Sequence, residues 1–267
     1  MKPRMPALFI GHGSPLQAIE PNGHTAIWQQ LGRELPRPRA ILSISAHWYT
    51  RGIGVTAMAQ PRTIHDFQGF PQQLYECQYP ARGDPQLALE IQRLLQPRSV
   101  HADHEWGLDH GSWAVLRYLY PEADLPVVQL SIDGELPPRA HYEIGRQLAP
   151  LRDDGVLLVG SGDVVHNLQR LERRAGATPP AWASEFNTLV RGAIESGDHE
   201  ALIDYERHGE AARLSVPTPE HYLPLLYVLG AQQPDDRVSI PVDGIELGTV
   251  SMLAALLEPA YSTAQKQ

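Results

Sequence analysis

Residues 7–15 read Ala-Leu-Phe-Ile-Gly-His-Gly-Ser-Pro, four apolar residues that stop abruptly at a glycine, a histidine and a turn. Ala7–Ile10 is apolar at every position, not at every second one, which predicts a strand covered on both faces. The same form recurs at Ala40–Ile44, Val127–Ile132 and Val156–Val159, with weaker versions at 52–58 and 238–242. Helical patterns are read at 26–35, 87–95, 112–120, 139–151, 181–195, 221–229 and 248–257. In the third of these, Trp113, Leu116 and Tyr120 share one face. Strands alternating with helices predict an α/β fold, a mostly parallel central sheet flanked by helices on both faces. Ligands of such sheets bind beyond the carboxyl ends of the strands, which is where a metal pocket is expected.

The polar residues after each apolar run therefore carry the functional reading. The first run leads into Gly11-His12-Gly13-Ser14, and the second into Ser45-Ala46-His47-Trp48. The run ending at Val159 leads into Gly160-Ser161-Gly162-Asp163 and then His166-Asn167. Parallel strands would bring His12, His47 and His166 to one end of the sheet. His110 stands just before an apolar helix, and His221 follows Pro219-Glu220 at the predicted start of another. Neutral imidazole suits Zn(II) and Fe(II), and catalytic sites use about three protein ligands plus an open position. His12 and His47 supply two, and either His221 or Glu220 the third. Neighbours on a helix point about 100° apart, so only one of that pair reaches the ion. Arg51, Arg62, Asp66 and Asp163 are candidates to grip a charged substituent, and Trp48, Tyr49, Phe67 and Trp113 to stack on a ring. His65-Asp66-Phe67 lies in a Pro-rich loop suited to a pocket mouth. His101 and His104 form a weaker second cluster, His141 is packed or exposed on an amphipathic helix, and His24, His199 and His208 read as solvated.

Composition narrows the classes. The chain has 267 residues, 42% of them hydrophobic and 20% charged, which fits one catalytic domain with a core at about 7–257 and a flexible C-terminal tail. A formal charge of −9 gives no basic footprint for nucleic acid. No run of 18 apolar residues suggests a membrane span. The N-terminal run is too short for a signal peptide, and one cysteine, Cys77, offers no intrachain disulfide, so a cytoplasmic protein is expected. Gly11-x-Gly13 and Gly160-x-Gly162 lack the third glycine of a dinucleotide fingerprint, and neither a phosphate-binding GxxxxGK[ST] loop nor a GxSxG elbow occurs. Ser14 beside His12 does not make a Ser–His–Asp relay.

Taken together, Gly11-His12-Gly13-Ser14-Pro15, Ser45-Ala46-His47-Trp48-Tyr49, Thr63-Ile64-His65-Asp66-Phe67 and Asp109-His110-Gly111-Ser112-Trp113 resemble the class III extradiol ring-cleaving dioxygenases, in their 4,5-DOPA branch. Gln129-Leu130-Ser131-Ile132, His166-Asn167-Leu168 and Pro217-Thr218-Pro219-Glu220-His221-Tyr222-Leu223-Pro224 extend the resemblance over nearly the whole chain. It implies one non-haem metal ion per chain held by His12, His47 and His221. His166 is implied as acid/base and in some members as a further ligand, and His110 as the residue facing the substrate hydroxyls. It also implies Fe(II) as the working metal with Zn(II) in the protein as isolated. A small catechol and O2 are the implied partners of a monomer or homodimer, with DOPA opened between carbons 4 and 5 to seco-DOPA. Three rival readings remain at this point: a tetrapyrrole metal chelatase, a zinc-dependent hydrolase, and a non-catalytic binding protein that inherited the site.

Overall fold

Ten strands form among the residues that the computed structural model describes, 4–172, 174 and 176–260. They are β1 (Ala7–Gly11), β2 (Ala40–Thr50), β3 (Ile53–Thr56), β4 (Val100–Asp103), β5 (Val127–Asp133), β6 (Val156–Gly162), β7 (Asp236–Val242), β8 (Ile245–Glu246), β9 (Val250–Ser251) and β10 (Ala254–Pro259). Eight of them make one sheet in the order β4-β3-β5-β2-β6-β1-β10-β7, and β8 pairs with β9. The central four, β5, β2, β6 and β1, are mutually parallel. Antiparallel pairings occur toward both edges, where β3 meets β5 and β10 meets β1 and β7.

Each central strand feeds two cores, as a run apolar at every position requires. In β1, Ala7 and Phe9 join one core, while Leu8 and Ile10 join the other. The first core packs helices Pro85–Leu94, Pro138–Leu148, Ala181–Ser196 and Leu223–Gly230 on its face. The second takes helices Gly23–Glu34 and His110–Leu119, with Trp28 and Trp113 fully buried. The expected α/β architecture with helices on both faces is therefore present. Arg152, wholly buried, ties chain segments together beneath the sheet. Its guanidinium donates to Asp236 at 2.5 and 2.9 Å and to the carbonyls of Met5 and Ala231, both at 2.7 Å.

Several local expectations change. Residues 248–257 are not a helix but contain β9 and most of β10. Val250, Leu253, Ala254 and Leu257 have helical spacing, but a short apolar run buried on both faces satisfies either pattern. The expected tail after residue 257 is still strand at Pro259, and residues 261–267 lie outside the described ones. β2 runs six residues past Ile44, so His47 is inside a strand and not after it. The turn at 217–222 stays irregular, and its helix begins at Leu223 rather than at His221. His101 lies on the edge strand β4, away from any cluster of metal-ligating atoms among the described residues. His24, His199 and His208 are half-buried and partnered, by Glu246, Tyr142 and the Ala201 carbonyl. Among the described residues, no helix is long and apolar enough to cross a membrane.

Candidate metal centre

Sheet register brings the first two histidines together. β6 lies between β1 and β2, and Ser161 on β6 is level with Ile10 on one side and Ser45 on the other. His12 and His47 each follow two residues later, so both lean over the end of β6, and their Nε2 atoms are 3.2 Å apart. His221 comes from the turn before helix Leu223–Gly230. It reaches the strand end because Gly162 has no side chain: a Cβ there would meet the His221 carbonyl oxygen at 2.1 Å. The Asp163 amide then donates to that carbonyl at 2.9 Å. The rings of His12, His47 and His221 have centroids 5.0, 5.1 and 5.4 Å apart.

His110 is the first residue of helix His110–Leu119. Asp109 caps this helix, accepting the Ser112 amide at 3.1 Å and the Ser45 hydroxyl at 2.7 Å. Gly111 leaves room for the neighbouring ring, since a Cβ would sit 2.9 Å from His47 Cδ2. The His110 and His47 rings consequently lie 3.9 Å apart. His166 stacks on His221, with centroids 3.5 Å apart and ring planes 11° from parallel.

Hydrogen bonds fix which ring nitrogen carries the proton. The Ser161 hydroxyl donates its single hydrogen to the Gly111 carbonyl at 2.5 Å. Its oxygen can then only accept from His12 Nδ1 at 3.0 Å, so Nδ1 is protonated and Nε2 keeps its lone pair. An Asp66 carboxylate oxygen lies 3.1 Å from His47 Nδ1, an ion-pair contact that favours a proton on that nitrogen. Glu220 does so for His221, with Oε1 3.3 Å from Nδ1. His221 Nε2 is buried without a hydrogen-bond partner among the described residues. The His12 and His47 Nε2 atoms thus lie side by side, His12 and His221 place ligand atoms within 4.8 Å of each other, and an oxygen stands behind each Nδ1, as it does in metal-ligating histidines. With His12 Nε2 presenting its lone pair, the two Nε2 atoms 3.2 Å apart must share either a proton from His47 or a cation. The donor set suits a divalent transition metal.

The electrostatics agree. Burial holds His12 and His221 well below the ordinary histidine range, reinforced by the other imidazoles around them. Burial brings His166 down to about 4 and also lowers His110, with His47 adding to the latter and Asp66 opposing it. Burial would raise Asp66, but the hydrogens of His110 and His47 outweigh it and keep the carboxyl far below its usual range. Asp163, fully buried, is pushed well above that range by desolvation. The rings open onto a cavity of about 540 Å³, walled by Phe67, Phe70, Leu168, Leu171, Leu247 and Val250. Its size and apolar walls suit a small aromatic ligand.

The structure brings together His12, His47, His110, His166 and His221, all of which line this cavity. It turns Glu220 away toward Thr218 and His221 Nδ1. Phe67 and Asp66 stand at the cavity as the loop reading anticipates, whereas Trp48 stacks on Trp106 and Trp113 is core. Sequence reasoning missed Ser161 as the partner of His12, and Asp66 as the tether of two histidines. The polar residue between two glycines at a strand end was the available signal for the first.

The family model described as the catalytic LigB subunit of aromatic ring-opening dioxygenase matches residues 6–255. The chain belongs to this family. A 4,5-DOPA dioxygenase extradiol from Escherichia coli (strain K12) is 54% identical over 255 residues, 94% of each chain. One from Beta vulgaris is 39% identical over 244 residues, 87% of this chain and 88% of that one. The crystal structure of an uncharacterized protein from Escherichia coli K12 superposes with a TM-score of 0.84 at 49% identity, covering 95% of this chain and 99% of that one. This LigB-family member is an extradiol ring-opening dioxygenase, which decides against the chelatase, hydrolase and non-catalytic readings.

Proposed function

We propose that this dioxygenase opens the ring of a catechol, DOPA foremost, with one Fe(II) held by His12, His47 and His221. The observation that supports the site assignment is that His12, His47 and His221 line one apolar cavity, with the His12 and His47 Nε2 atoms 3.2 Å apart and His221 Nε2 buried without a partner among the described residues. DOPA is supported by the names of the E. coli and Beta vulgaris relatives. Bound Fe(II) supplies the redox capacity that O2 chemistry needs and acidifies a catechol hydroxyl, whereas Zn(II) has no redox role.

The protein does the rest. Phe67, Phe70 and the leucine wall hold the ring flat and keep water out. His166 is neutral and stacked beside His221, which suits it to take and return a hydroxyl proton, and its ligand atom lies within 4.8 Å of those of His221 and Glu220, so it also stands as a candidate further ligand. His110 has Asp66 3.0 Å behind its Nδ1, so a proton gained on its other nitrogen is balanced by that carboxylate. One sheet spanning residues 7–259 supports a single catalytic domain. The free Cys77 fits a reducing cytoplasm, with the chain working as monomer or homodimer.

The test is oxygen uptake with L-DOPA after anaerobic Fe(II) loading of metal-free protein, with Zn(II) loading as control. Uptake with a new visible absorbance is expected with iron alone, and His12→Ala should abolish both. Iron binding without uptake would remove DOPA as substrate, and a panel of other catechols would then have to show it.

A further inference from the structure

We propose that Asp163 is a further ligand of the same ion, so that a carboxylate joins the imidazoles; this rests on the metal reading above. Asp163 directly follows β6, and its side chain is entirely buried. Oδ1 accepts the Gly13 amide at 3.0 Å, which fixes the carboxyl plane. Oδ2 is buried with no hydrogen-bond partner among the described residues, and it lies 3.4 Å from His12 Nε2.

That contact is not a hydrogen bond between His12 and a carboxylate. The proton of His12 is on Nδ1, committed to Ser161, so Nε2 presents a lone pair to Oδ2. A lone pair and a carboxylate oxygen held this close in a dry interior repel unless a proton on Oδ2 or a metal cation lies between them, and the spacing favours the cation. The spacing is that of two ligands on one ion. Atoms about 2.1 Å from a metal and about 90–110° apart are separated by about 3.0–3.4 Å. His12 Nε2 stands at 3.2 Å from His47 Nε2 and 3.4 Å from Asp163 Oδ2, and both distances fit. His12, Asp163 and His221 also place one ligand atom each within 4.8 Å of one another. Glu220, the carboxylate next in sequence to His221, is engaged with Thr218 and His221 Nδ1. The carboxylate of this centre therefore comes from the end of β6.

Cobalt is the probe. Crystals of the wild-type protein loaded with Co(II) should show anomalous density about 2.0–2.2 Å from Asp163 Oδ2. In solution, Asp163→Asn should weaken Zn(II) binding at least about 10-fold in chelator competition and shift the visible bands of the Co(II) form. An ion more than about 3 Å from Oδ2 overturns the proposal, as does an Asn variant with unchanged affinity and spectrum. Either would mean that Asp163 is protonated and donates to His12. If the Asn variant does not fold, the wild-type cobalt structure decides alone. Asp163 coordination in a protein that consumes no oxygen with any catechol would support this assignment while removing the catechol reading.

Discussion

Ser161 has one hydroxyl and two tasks, donating to Gly111 and accepting from His12 Nδ1. Replacing it with alanine strands a buried N–H and frees His12 to move its proton to Nε2. Ser161→Ala should weaken Zn(II) binding by about 10- to 100-fold, measured by chelator competition, with the fold retained. At this scale the sequence disclosed the histidines but not their partners. His12 and His47 were legible because each follows a buried strand, and polar residues there point to ligands. Ser161 is 149 residues from His12, and Asp66 is 44 from His110. Only the folded sheet and loop create those pairs, so the glycine-flanked Ser161 could be marked locally but its partner could not. The third position was left open between neighbours, and the burial of His221 with Glu220 behind it separates the two.

The end of β6 and the turn carrying His221 are fitted to each other without a side chain between them. Gly162→Ala would drive a methyl to 2.1 Å from the His221 carbonyl oxygen, and backbone at both sides leaves no easy escape. A loss of about 2–3 kcal/mol in denaturant unfolding is expected, together with weaker metal binding as the turn shifts. The two glycines that fail as a dinucleotide fingerprint are thus spacers for a helix: at Gly160 a Cβ would meet the Pro224 carbonyl at 2.6 Å. Element identity was readable where length or context broke the tie between patterns. Helices Gly23–Glu34 and Ala181–Ser196 run for three turns or more, and the parallel strands carry β-branched runs. β10, Ala-Ala-Leu-Leu-Glu-Pro, has neither cue, and it becomes a strand through pairing with β1 and β7, which are distant in sequence or follow the helices.

Over the whole molecule, burial keeps a set of histidines neutral, and this makes the fold acid-sensitive. His141, far from the metal centre, shows the sign clearly. It is buried between the Tyr227 hydroxyl and the Leu136 carbonyl, and desolvation lowers it from 6.5 to about 4. Between those values the unfolded chain binds the extra proton and the native one does not. Its contribution is complete above pH 6.5 and is lost as pH falls toward 4. That amounts to about 2 kcal/mol between pH 7 and pH 5. Guanidinium unfolding of metal-free protein at those two pH values should show His141→Gln losing less stability than wild type by about that amount.

β1, which carries His12 at its end, lies between β6 and β10 in the sheet. A ribosome delivers β10 almost 250 residues after β1. During synthesis the strand that leads to His12 waits with one backbone edge open while β2 to β9 emerge. A nascent chain stopped before residue 254 already carries β1, β6 and β2, which align His12 and His47, but leaves the other edge of β1 without its partner strand.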